Sequence, residues 1–321
     1  MAVPTNLYQK ATLKGSREDL IDKIFNTSPT ETPITSAAGK ATATTDFHEW
    51  QRDSLAAANA ANKMIDGDDA TLQAQTPTER VGNHLQIFNG VIGVSRRANI
   101  VKKAGRGSEM AYLKAKKMLE LKRDIEAMAL SSQAAVAATT SVAGQSAGLG
   151  TQLYLNTSHG AGGSTASWTS GAPTTAPTAG TARTFTEALL KTVLQSIYTN
   201  SGNFAEMVVL SPNHKALFSA FGGIAANRFE VKGKSQGAVV GAADVYVSDF
   251  GSLSVVPHYL MVGSTNAYVL NTDYLDVAFL DGFKTTDLAK TGDSDKVLVT
   301  ADCALAVRAS AAQGKISDLT A

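Results

Sequence analysis

Between Ser108 and Val136 the chain reads SEMAYLKAKKMLELKRDIEAMALSSQAAV, with neither proline nor glycine to interrupt it. Met110, Ala111, Ala115, Met118, Leu121, Ile125 and Met128 recur at spacings of one, three or four and share one face of a helix. Ser108 offers an N-cap oxygen after Gly105 and Gly107, so the pattern predicts a helix over 108–136. At about 1.5 Å per residue it would reach roughly 40 Å, the length of a spine laid across a sheet. Lys116 with Glu120 and Lys122 with Glu126 add pairs four apart.

The rest of the pattern falls on either side of this spine. In SREDLIDKIFN, Leu20, Ile21, Ile24 and Phe25 predict a short helix opened by Ser16, and TSPTETPITSAAGKATATT then predicts an extended arm. Strand-like segments anchored by Phe47 and Trp50, and by Leu85, Ile87, Val91, Ile92 and Val94, bracket a polar, alanine-rich middle. That middle contains Asp66, Gly67, Asp68 and Asp69, which predicts a long excursion returning as a two-stranded loop. Beyond the spine, 139–181 is rich in Ala, Gly, Ser and Thr, a loop with one short strand at QLYLN. A helix over Thr184 to Tyr198, a buried strand MVVL and a helix started by Ser211 and Pro212 make a small α/β unit. From Gly241 the pattern turns to strands: DVYVS, LSVVP, NAYVLN, LDVAFL, then KVLVT and CALAVRA, separated by Ala301 and Asp302 and able to pair back toward the spine.

Composition narrows the classes. The 321 residues suffice for two domains, or for one with large insertions. Lys plus Arg number 29 against 28 Asp plus Glu, so any contact with nucleic acid would be local. No apolar run approaches the roughly 18 residues of a membrane span, and MAVPTNLYQKATLKGSREDL lacks a signal-peptide core. The lone Cys303, on an alternating strand, reads as a small buried side chain in a protein made in a reducing cytoplasm.

Chemistry-bearing motifs are sparse. Gly144-Gln145-Ser146-Ala147-Gly148 spells the G-x-S-x-G of a hydrolase elbow, but no buried strand precedes it to drive Ser146 onto a strained turn. His48-Glu49 starts a zinc motif whose second histidine position holds Arg52, and His84, His159, His214 and His258 share no metal spacing. Asp66, Asp68 and Asp69 lack the remaining ligands of a calcium loop. No cofactor or metal is expected. The basic residues Arg96, Arg97, Lys102, Lys103, Arg106, Lys114, Lys116 and Lys117 frame the spine's start, either as a solvated face or as a contact for acidic loops of neighbouring subunits.

The succession EDLIDKIFNTSPTETPITSAAGK, HEWQRDSL, ERVGNHLQIF and VSRRANIVKKAGRGSEMAYLKAKKMLELKRDIE resembles the major capsid proteins of tailed bacteriophages. The likeness covers most of the first 130 residues, and the remainder by element order. It implies an α+β fold with an N-terminal arm (1–45), an extended loop (46–97), a peripheral domain bearing the spine (98–180 with 284–321) and an axial domain (181–283). It further implies a structural subunit of the virion, not an enzyme, assembled in the host cytoplasm into hexamers and pentamers of an icosahedral head. The implied partners are a separate scaffold, since no long charged leader precedes the arm, a portal, a decoration protein in some heads, and double-stranded DNA held by weak non-specific contact. Intersubunit contacts are expected at Ile24, Phe25, Phe47, Trp50, Asp66, Asp68, Asp69, Arg96, Arg97, Lys102, Lys103, Arg106, Lys114 and Lys117. The rival readings are a non-viral compartment shell of the same fold, a serine hydrolase using Ser146, and a tail component or adhesin.

Overall fold

The computed structural model describes residues 7–8, 10, 13–14, 18–67, 69, 72–221 and 244–321; Ser16, Asp68 and Gly241 lie outside them. In chain order the elements are α1 (Pro33–Ala37), β1 (Gly39–Thr42), β2 (Phe47–Arg52), β3 (Glu79–His84), β4 (Gln86–Ser95), α2 (Arg96–Ile100) and the spine α3 (Glu109–Leu130). There follow α4 (Leu149–Gln152), β5 (Thr157–Ser158), β6 (Ser167–Thr169), β7 (Ala172–Thr175), α5 (Glu187–Ser201), β8 (Met207–Leu210) and α6 (Pro212–Ser219). The chain closes with β9 (Val245–Ser248), β10 (Gly251–Pro257), β11 (Ala267–Leu270), β12 (Leu275–Leu288), β13 (Ser294–Val307) and β14 (Gly314–Ile316). None of the described helices is long and apolar enough to cross a membrane.

Two sheets share the spine. One has the order β1-β12-β13-β4, with β1 parallel to β12 and the other neighbours antiparallel. The other is mixed, in the order β5-β14-β11-β8-β10-β9. Period-two alternation on β4 buries Phe88, Ile92 and Val94 and leaves Ile87 and Val91 exposed. The buried set packs with Leu121, Ile125 and Met128 of α3 and Val299, Ala301 and Cys303 of β13. On β8 the same alternation sends Met207 and Val209 into this spine core, while Val208 and Leu210 pack with Leu190, Val193 and Ile197 of α5 and Phe218 of α6. The six-stranded sheet is therefore a middle layer, with the spine on one face and α5 and α6 on the other.

Several expectations need correction. The spine stops at Leu130 instead of 136 because its last carbonyls are taken: Ser131 Oγ donates to Met128 O at 2.7 Å and Tyr268 OH to Leu130 O at 2.8 Å. Ala111 and Ala115 are exposed, and Leu113 lies on the packed face in their place. Residues 18–31 carry no helix, since Leu20, Ile21 and Phe25 find no core to cover them among the described residues. The arm is not wholly extended: Pro33 opens α1, whose Ile34 is completely buried, and β1 pairs with β12. QLYLN contributes the end of α4, with no strand. KVLVT and CALAVRA are one strand, because Ala301 and Asp302 continue the ladder opposite Phe88 and Ile87. Lys122 has no ion pair with Glu126, whose carboxylate is buried elsewhere.

Candidate assembly surfaces and the joints behind them

The excursion is a paired foot carrying an unpaired loop. β2 and β3 run antiparallel from Phe47 opposite His84 to Arg52 opposite Glu79, and the described residues of 53–78 form neither helix nor strand. Phe47 packs on the His84 ring at 4.6 Å, and Trp50 is half-buried on the same strand. Arg52 bonds Glu79 at 3.1 Å and lies over the rings of Trp168 (5.1 Å) and Tyr154 (5.8 Å), a cation–π clamp. The β6–β7 hairpin braces the foot further: Gly82 N donates to Gly171 O at 2.8 Å. Gly171 has φ +79°, and a Cβ there would lie 2.6 Å from Arg80 O, so glycine is required twice over. Above the foot Leu55 is 98% exposed and Leu72 103%, with Met64 and Ile65 also bare. Asp66 and Asp69 are exposed on the same loop.

Behind the foot a buried polar joint ties β3 to β13. β13 pairs with β4 only as far as Cys303 opposite Gln86, so the backbone groups beyond it need other partners on that side. Side chains supply them. Asn83 Nδ2 donates to Leu305 O (2.7 Å) and Ser146 Oγ (3.0 Å), and Leu305 N donates to Ser146 Oγ (3.2 Å). Gln152 Nε2 donates to Leu305 O (2.9 Å) and its Oε1 accepts from Val307 N (3.1 Å). Ser146 is therefore a fully buried structural acceptor, not an exposed nucleophile. The flanking glycines serve packing: a Cβ on Gly148 would sit 2.3 Å from Ser131 O, and one on Gly144 2.8 Å from Leu85 O. Cys303 is buried in the same layer, and burial pushes its thiol up to about 12, which leaves it inert.

The expected basic contacts are mostly engaged within the chain. Arg96 pairs with Asp293 (2.9 Å), Arg106 with Glu109 (2.5 Å) while lying over Tyr112, Lys114 with Asp287 (3.7 Å) and Lys117 with Glu120 (2.8 Å). Lys103 Nζ donates to Asn99 O at 3.0 Å, whereas Arg97 and Lys102 are exposed. Exposed pairs of this kind contribute about 0–1 kcal/mol each, so the row stays available for exchange with other carboxylates. The arm passes beside it: Gly105 N donates to Asp22 at 2.7 Å and Ile24 lies against Gly105, while Phe25 remains 66% exposed under Lys23.

Two buried charges escaped the sequence reading. Glu126, on the spine, accepts from Ile34 N (2.8 Å), Thr35 N (2.9 Å) and His258 Nε2 (3.0 Å), and both side chains of the acid–imidazole pair are fully buried. Leu260 N donates to His258 Nδ1 at 3.1 Å, so the ring's proton lies on Nε2 and is given to Glu126. Burial raises the carboxyl's pKa, but the bonds from His258, Thr35 and Ile34 outweigh it and hold the group below its ordinary value. Lys315, also fully buried, donates to Gly150 O at 2.6 Å, and burial drops it to about 8 despite the nearby Asp318. An acid one position from Ile125 in the buried stripe was the available hint for Glu126; nothing local marked Lys315.

A spine helix packed across two sheets, a braced projecting hairpin and an arm leaving the body define the α+β capsid-subunit fold of tailed phages. The chain belongs to the SU10 major capsid protein family, which matches residues 4–320. It is 36% identical over 134 residues to the major capsid protein of Escherichia phage Phieco32, a match spanning 42% of this chain and 38% of that relative. The cyanophage A-1(L) capsid asymmetric unit superposes with a TM-score of 0.66 over 99% of this chain and 100% of that one, at 14% identity, which shows a shared fold. The holo-SrpI encapsulin complex from Synechococcus elongatus PCC 7942 gives 0.51 at 13% identity, over 93% and 92% of the two chains.

Proposed function

We propose that this chain is the repeating shell subunit of a phage head, forming hexamers and pentamers that close an icosahedron around double-stranded DNA. One observation beyond family membership carries the reading: a loop bearing Leu55, Met64, Ile65 and Leu72 stands on a braced foot, and none of the described residues covers it. Apolar side chains held out on a braced scaffold are stable in water only at a cost that a neighbouring copy removes. The arm (1–45), loop (46–97), peripheral domain (98–180 with 284–321) and axial domain (181–283) are the working division. Phe25, Asp66, Asp69, Arg97 and Lys102 are the exposed residues we assign to subunit contacts; Phe47, Trp50 and Arg52 set the loop's angle. Asp68 shares the loop by sequence alone. A chain with one net positive charge suits a lining that contacts packaged DNA weakly. Scaffold and portal are the further partners of this reading, and the role is structural, with Ser146 spent on a joint.

Negative-stain microscopy of the expressed chain, alone and with a candidate scaffold, tests this. Closed shells are expected; persistent monomers with every phage partner would overturn it. The same fold in an encapsulin makes a cargo-enclosing shell the second reading, and nucleic acid against protein inside purified particles separates the two.

A further inference from the structure

We infer that Glu126 is a latch fixing where the N-terminal arm leaves the body, an assignment that rests on the shell reading only for its consequence in assembly. Helix α1 cannot hold itself. It has five residues, its N-cap Thr32 makes no side-chain capping bond, and no acidic residue occupies its first turn. Its free amides at Ile34 and Thr35 are met instead by the two oxygens of one carboxylate, 92 and 91 residues along the chain. The third bond to that carboxylate comes from His258, just past β10, so arm, spine and six-stranded sheet meet at a single buried group. On the N-terminal side of this point, residues 18–31 have no helix or strand, and Leu20, Ile21 and Phe25 stand exposed. The latch therefore sets the direction in which that apolar run is offered to a second copy of the chain.

Glutamine at 126 keeps the size but can accept with only one atom, and its amide group would face a donor. Hydrogen exchange on the purified full-length chain reads the result. Glu126→Gln raises exchange at Ile34 and Thr35 by about tenfold or more and opens 18–38 to protease, while Val299 and Leu305 stay protected. Leu121→Ala, a cavity on the same helix face, lowers the melting temperature without that local signature. Unchanged exchange at Ile34 and Thr35 in Glu126→Gln would falsify the latch. So would global loss of structure in both Glu126→Gln and the charge-preserving Glu126→Asp, because the carboxylate would then hold the core and not the arm. With a loosened arm the yield of closed shells is expected to fall. Normal yield would overturn the consequence for assembly while the latch stands, and failure of the wild type to form shells at all would count against the shell reading alone.

Discussion

Along α3, Leu121, Ile125 and Met128 are buried between two sheets and the one acid on that face has three hydrogen-bond partners. Along 53–78, Leu55 and Leu72 are bare and no described residue joins a helix or strand. The two regions are separated by β3, β4 and α2, and they divide the labour of the subunit. The contacts of the spine's buried face are made within the chain, so substitutions there should register as stability. The loop's contacts are incomplete, so its substitutions should register only when a second copy is present.

Substitutions at the buried face of the spine should have the largest effect. Leu121→Asp places a carboxylate where 1% of the residue is exposed, a cost of several kcal/mol or more against a typical total of about 5–15, and soluble expression with a cooperative melt should vanish. Asn83→Ala should cost about 2–4 kcal/mol, read as a lower urea midpoint, because Ala147 N loses its acceptor and Leu305 O one of its donors in a buried site. A fall of this size would show that the loop's foot belongs energetically to the body.

Lys315 makes the stability of the body depend on pH. Its folded value is lowered to about 8 from 10.5, so between those values the unfolded chain holds a proton that the folded one has released. Stability from this group is therefore smallest below pH 8 and rises as pH climbs toward 10.5, by about 3 kcal/mol at most. The difference in unfolding free energy between wild type and Lys315→Met, followed over that window, isolates the effect; a flat difference would mean the amine stays charged when buried. The smallest effect on the subunit is expected at the loop: deleting 66–69 should leave the unfolding free energy within about 0.5 kcal/mol of wild type yet impair shell assembly. Normal assembly would remove the interface role assigned to Asp66 and Asp69.

Much of this was legible in the chain. The i, i+3, i+4 spacing of Met118, Leu121, Ile125 and Met128 marks the spine, and Ser108 caps it as expected, accepting from Ala111 N at 3.3 Å. Ser211 and Pro212 start α6, and a strand forms where Leu85 to Val94 predicted one, although the expected anchors Ile87 and Val91 face outward and Phe88 takes the buried face. These signals are local, since each depends on residues within a turn or two of one another. Three features could not be read that way. α1 is capped by a side chain 91 and 92 residues distant, the spine ends where Tyr268 takes its last carbonyl, and β13 continues past β4 because Asn83 and Gln152 replace the missing strand. In each case a backbone group found its partner far along the chain, and periodicity carries no record of which distant side chain will arrive.

The sequence by itself determined the helices α3, α5 and α6, most strands, the coreless loop and the resemblance to phage head proteins, because propensity, capping and alternation act over short spans. Only the tertiary structure decided that Ser146 is a buried acceptor, that most of the expected basic contacts are already paired, and that Glu126 joins arm, spine and sheet. Burial decides such roles: a hydroxyl, a cation or a carboxylate has the same spelling in water and in the core, and its chemistry is set by what surrounds it once the chain has closed.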